Sequence, residues 1–169
     1  MSKAFTREDD VPDLPVAAKQ PPPLPTGAKN YVTQRGADAL RAELARLRDV
    51  ERPGIVSSVD AAARAEQLRV IDQQIAYLEE SLGTAVVVPV PRQPWDVVRF
   101  GATATVREGS GQEVKFRIVG VDEADFDRGW ISWCAPLARG LIGARLEQRV
   151  RVETPEGERE FEIVGIGYE

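Results

Sequence analysis

Apolar positions between residues 33 and 82 recur at helical spacing. Leu40, Leu44 and Leu47 step by four and three, and Leu68, Ile71, Ile75, Leu78 and Leu82 step by three and four. This is the a/d seam of a coiled coil. Thr33 stands where an N-cap is wanted, although Gly36 at N3 excludes a capping box. Gly83 stands where a C′ glycine would stop the second run. Each arm carries only about two heptads, too little for a stable isolated pair in water. The pattern therefore predicts an antiparallel helical hairpin docked on a second module. Two turn positions are open. Pro53-Gly54 is the strongest local breaker, with Ser57-Ser58-Val59-Asp60 capping a helix to Leu82. Alternatively the first helix continues through a kink at Pro53 and turns near Ala62–Ala65, leaving a second helix of about 17 residues.

From residue 95 the period changes to two. Strands are expected at Val97–Arg107, Glu113–Val121, Gly129–Trp133, Gln148–Thr154 and Arg159–Ile166, with turns at Gly109-Ser110-Gly111 and Pro155-Glu156-Gly157. Pro136 suits a first helical position and Gly143 a C′ position, so one short helix fits between them. The fold class is α+β: a hairpin over 30–83, a linker over 84–94 marked by Pro89, Pro91 and Pro94, and over 95–169 a twisted antiparallel sheet carrying one helix. Residues 1–29 hold six of the chain's prolines, among them Pro21, Pro22, Pro23 and Pro25. They read as a disordered or polyproline-like tail, with a docking ligand as the sharper alternative.

Composition narrows the chemistry. Of 169 residues none is histidine and one, Cys134, is cysteine. The usual general base, Ser-His and Cys-His pairs, a zinc site and an intrachain disulfide are all excluded or disfavoured. No cofactor is implied. The start MSKAFTREDD has no apolar core of a secretory signal, and no run approaches a membrane span. A cytoplasmic protein is expected. The net charge of −5 divides as 0, −2 and −3 over residues 1–29, 30–82 and 83–169. No segment forms the basic stripe that grips phosphates, so a protein partner fits better than tight direct nucleic-acid binding. Cys134 reads as a small buried hydrophobe, the tryptophans Trp95, Trp130 and Trp133 as core, and Asp122–Asp127 as a solvated acidic loop.

Specific segments carry a family resemblance. They are Asn30-Tyr-Val-Thr33 with Ala39–Leu44, Glu51-Arg-Pro53, Leu68–Asp72 and Ile75–Leu78 in the hairpin. In the second half they are Phe100–Val106, Arg117–Asp125, Ile131-Ser-Trp133 and Ala135–Arg139. Over roughly residues 30–168 the chain resembles the bacterial Gre transcript-cleavage factors, GreB more than GreA. The resemblance implies an FKBP-like C-terminal domain that docks at the rim of the RNA polymerase secondary channel. It implies a coiled coil that enters the channel with an acidic tip, beside a Gly-Asp-x-Ser-Glu-Asn motif, that helps hold Mg²⁺. It also places Pro136, Leu137, Ala138, Arg139 and Leu141 on the polymerase-facing surface, in a protein acting as a monomer.

The chain departs from the family at that tip. No Asp-x-Ser-Glu-Asn occurs, and Ala61-Ala-Ala-Arg-Ala-Glu66 runs straight into the returning helix. The segment reads as a deletion, which favours the later turn and pulls the tip back by roughly 12 Å if about half of 16–18 residues leaves each arm. Carboxylates bind Mg²⁺ at about 2.1 Å, so no side chain spans that retreat. Asp60 and Glu66 are the only acids near the new tip, and they are weak candidates for catalytic or metal roles. The leading expectation is a non-enzymatic factor that docks on polymerase and modulates elongation without stimulating cleavage, touching nucleic acid only through the polymerase. The alternatives are an active cleavage factor using Asp60 and Glu66, a peptidyl-prolyl isomerase, and an adaptor acting through the tail.

Overall fold

The computed structural model describes residues 23–56, 61–154 and 157–169. Most of the proline-rich tail and Asp60 lie outside the described residues.

Strand β1 (Asn30–Val32) leads into α1 (Gln34–Arg46). Thr33 caps it as expected, its hydroxyl oxygen accepting the Gly36 N–H at 2.9 Å. The chain then passes through a π turn (Leu47–Glu51) into α2 (Arg52–Val56). Pro53-Gly54 therefore does not end the helix. Pro53 brings no N–H and a ring that crowds the carbonyl four residues back. The wider turn just upstream, where Arg52 N–H reaches back to Leu47 O, accommodates that defect without breaking the run. The returning helix α3 spans Ala61–Thr84. At 24 residues it is close to the run expected from Ser57–Asp60 to Leu82 and longer than the 17-residue alternative, and Ala62–Ala65 lie inside it. Neither expected turn is used: the two helical runs are separated by residues 57–60, outside the described residues. Gly83 does not stop α3 either. The chain runs directly from Thr84 into β2 (Ala85–Val87), so no left-handed reversal is needed there.

The arms are antiparallel. Leu40, Leu47 and Leu78 are buried together, with Leu44, Ile75 and Leu82 packed on them. Across the pair Arg48 meets Glu79, and Arg52 holds Asp72 at 2.7 Å. At the base, β1 and β2 pair in parallel with Asn30 opposite Ala85, which ties the two ends of the hairpin together. Asn30 reinforces the tie, its amide donating to Ser81 O at 3.0 Å.

The C-terminal half is a five-stranded sheet of order β5-β4-β3-β7-β6. Its strands are β3 (Thr103–Glu108), β4 (Glu113–Val119), β5 (Trp130–Ser132), β6 (Arg149–Thr154) and β7 (Gly157–Gly167). The first expected strand is shorter than read, because residues before Thr103 form only an isolated bridge at Val97. The sheet is mixed rather than wholly antiparallel. After β4 the chain crosses back through two 3-10 turns, Val121–Glu123 and Phe126–Arg128, and β5 therefore runs parallel to β4. Helix α4 (Pro136–Leu141) begins on Pro136, and Gly143, at φ 89°, takes the left-handed C′ position expected of it. Val98, Ala104, Val106, Ile118, Ala138, Leu141, Phe161 and Ile163 fill the core between helix and sheet.

Candidate functional site

The joint between hairpin and β domain is built from the turn after β4. Glu123 accepts the Thr33 backbone N–H at 2.8 Å, the Thr33 hydroxyl, and the Gly120 N–H at 3.1 Å. In a capping box a glutamate at N3 takes the N-cap N–H. Here N3 is Gly36, and a carboxylate 90 residues away performs that task. A Cβ on Gly36 would overlap the Glu123 carboxyl group, and one on Gly120 would lie 2.6 Å from Tyr31 O. Both glycines are therefore required by close approach. The neighbouring Asp122 accepts hydroxyls from Tyr77 and Ser81 on α3, the latter at 2.5 Å. Burial, and then the Asp122 carboxylate, push the Tyr77 phenol well above its usual range, so it remains a donor. The acidic run was expected to be a solvated loop. Its first two acids instead grip both arms of the hairpin.

Toward the other end of the hairpin, the described acids of α3 are engaged by arginines. Glu66 is exposed on α3 and is bound by Arg69 at 2.6 Å. That guanidinium holds its carboxyl below the usual range. Asp72, the next acid along α3, is engaged by Arg52. Among the described residues no group of three or more acids or cysteine is placed to hold a metal. Asp60, the second candidate, lies outside the described residues.

Around α4 the expected partner-binding residues separate into two sets. Ala138 and Leu141 are 0% exposed. They stand three apart on the face turned to the sheet, so they belong to the core and are corrected out of the surface set. Pro136 and Arg139 are exposed and Leu137 half-buried. Arg139 forms no salt bridge among the described residues. It borders a groove of about 390 Å³ whose other walls are Tyr31, Phe100, Trp133 and Ile142. Tyr31 lies 5.9 Å from the Phe100 ring and edge-on to Trp133 at 5.3 Å. Spacing alone did not flag this groove, because Tyr31 comes from the hairpin and the other residues from the β domain.

The tryptophans are all half-buried rather than fully core. Trp95 packs on Tyr168, and Trp130 lies under the guanidinium groups of Arg35, Arg117 and Arg128 at 5.1–5.4 Å. Cys134 is also half-buried, and burial pushes its thiol up. The thiolate is the reactive form. Alkylation by iodoacetamide at neutral pH should therefore be slower than for a free cysteine. Its rate should still be rising with pH past the ordinary thiol pKa of about 8.5, where that of a free cysteine levels off. Mass spectrometry of timed samples reads this directly.

Among the described residues no helix is long and apolar enough to cross a membrane. The family described as "Transcription elongation factor, GreA/GreB, C-term" matches residues 92–168. The transcription elongation factor GreB of Neisseria meningitidis Z2491 is 43% identical over 159 residues, covering 86% of this chain and 98% of that protein. The transcription elongation factor GreA of Alkalilimnicola ehrlichii is 41% identical over 156 residues, covering 83% and 99%. Both alignments are longer than the part of this chain they take in, so each relative carries residues with no counterpart here. GreA factor homolog 1 of Thermus thermophilus, a solved structure, is 26% identical with a TM-score of 0.40, covering 83% of this chain and 99% of its own. The chain belongs to the GreA/GreB family of transcription elongation factors.

Proposed function

We propose that this family member binds RNA polymerase at the rim of the secondary channel and modulates elongation without the usual stimulation of transcript cleavage. The observation that carries this reading is the hairpin tip. The acidic motif is absent from the sequence, and Glu66, the described candidate acid, is paired with Arg69. In this reading the protein is a cytoplasmic monomer and a binding factor, with no catalysis of its own. Docking uses the exposed side of α4, Pro136 and Arg139, together with the groove edge at Ile142. An aromatic-lined patch with one exposed arginine has the composition of an interface centre.

Two measurements test it. Immobilised full-length protein should retain core polymerase, and Arg139→Glu should weaken retention by about tenfold or more, as expected for loss of an interface anchor worth roughly 2 kcal/mol. In a stalled, backtracked complex, cleavage should stay at the intrinsic rate of polymerase. A large acceleration that is abolished by Asp60→Ala or Glu66→Ala would establish an active cleavage factor instead.

A further inference from the structure

We infer that the aromatic groove is a binding site for this chain's own proline-rich N-terminal segment, seated in cis, with Pro12-Asp13-Leu14-Pro15 as the element bound. The groove has the chemistry that polyproline segments recognise. Three aromatic rings, Tyr31, Phe100 and Trp133, present flat apolar walls, and Ile142, 38% exposed, closes one side. A polyproline helix is already ordered before binding and loses little entropy when it docks on such walls.

The segment is tethered close in sequence to the groove. Pro25–Ala28 form a reverse turn, with Ala28 N–H donating to Pro25 O at 2.9 Å and Gly27 at φ 79°. Six residues after Pro25 comes Tyr31, itself a wall of the groove. Leu24, just ahead of the turn, is already half-buried. In a polyproline conformation the eight steps from Pro23 back to Pro15 would span about 25 Å.

Charge selects the register. Arg139 borders the groove without a salt bridge among the described residues, and Asp13 lies inside the Pro12–Pro15 element. Seating the prolines and Leu14 on the rings brings the Asp13 carboxylate to the Arg139 side. Tethering adds a high effective concentration, so a weak contact suffices. The segment then covers the face assigned above to polymerase, and in that respect the inference rests on the docking proposal: the tail would compete with polymerase for Arg139 and Ile142.

The test compares isotope-labelled full-length protein with a variant carrying Pro12→Ala, Asp13→Asn, Leu14→Ala and Pro15→Ala. Expected are shifts of the Trp133 indole N–H and Ile142 methyl signals, unchanged on dilution, with Phe126 and the far half of α3 unmoved. Arg139→Gln should reproduce part of the shift. Identical spectra at Trp133 and Ile142 would overturn the inference. So would shifts that fade on dilution, which would assign the groove to a second copy. In parallel, the tail variant should retain core polymerase several-fold more strongly than the unsubstituted chain. If neither chain retained polymerase, the docking proposal would fail while the spectra still reported on groove occupancy.

Discussion

Gly36→Ala should destabilise this protein by about 2–4 kcal/mol, although alanine is the better helix former by roughly 1 kcal/mol. The methyl group would take the space of the Glu123 carboxylate. Its displacement would cost charge-assisted bonds of about 1.5–3 kcal/mol each, including the one to the Thr33 N–H, which is buried at 8% exposure. The loss exceeds the propensity gain, so the sign is settled by the carboxylate. Urea unfolding measures it. A double-mutant cycle is more specific still. In a Glu123→Ala background the space is free, and Gly36→Ala should become neutral or mildly stabilising. Additive destabilisation in the double variant would show that Glu123 does not cap α1.

Leu47→Ala should melt the hairpin while leaving the β domain folded. Leu47 is 2% exposed and sits in a small cluster with Leu40 and Leu78. Truncating a buried leucine costs about 2–5 kcal/mol, and two short arms have little stability of their own to absorb that loss. The sheet has a separate core around Val106, Ile118, Phe161 and Ile163. Hydrogen exchange should therefore lose protection across α1, α2 and α3 and keep it in β3, β4 and β7. Uniform loss in both halves would show that the two cores unfold as one. The same variant separates functions, because docking through α4 should survive while any effect that needs an ordered hairpin in the channel disappears.

Local chemistry made much of this fold legible. The leucine seam marks the buried face of each arm, Thr33 the start of α1, and Pro136 with Gly143 the limits of a short helix, because each depends on residues within a few positions. Pro53 left two readings open for the same reason, a break or a kink. Its defect is absorbed by a π turn, a backbone adjustment that no residue type announces. Parallel β5 was missed because its direction depends on how the two 3-10 turns carry the chain across the sheet. The burial of Ala138 and Leu141 is readable from their spacing of three, whereas the family resemblance marks the segment only as a whole. The Glu123 cap was the least visible, since donor and acceptor come from different halves of the chain. Its trace in the sequence is indirect: a glycine at Gly36 where a capping box wants an acid, and a second at Gly120 where backbone passes backbone.

The parallel pairing of β1 with β2 gives the hairpin a property of a different kind. Both strands of the hairpin leave from one fixed seam, Asn30 opposite Ala85, and that seam is clamped by Asn30, Asp122 and Glu123. Residues can therefore be removed from or added to the far end in matched turns without disturbing the attachment. Arm length becomes an adjustable ruler, measured outward from a constant origin. Evolution can reset how far such a hairpin reaches while leaving untouched its joint with the β domain.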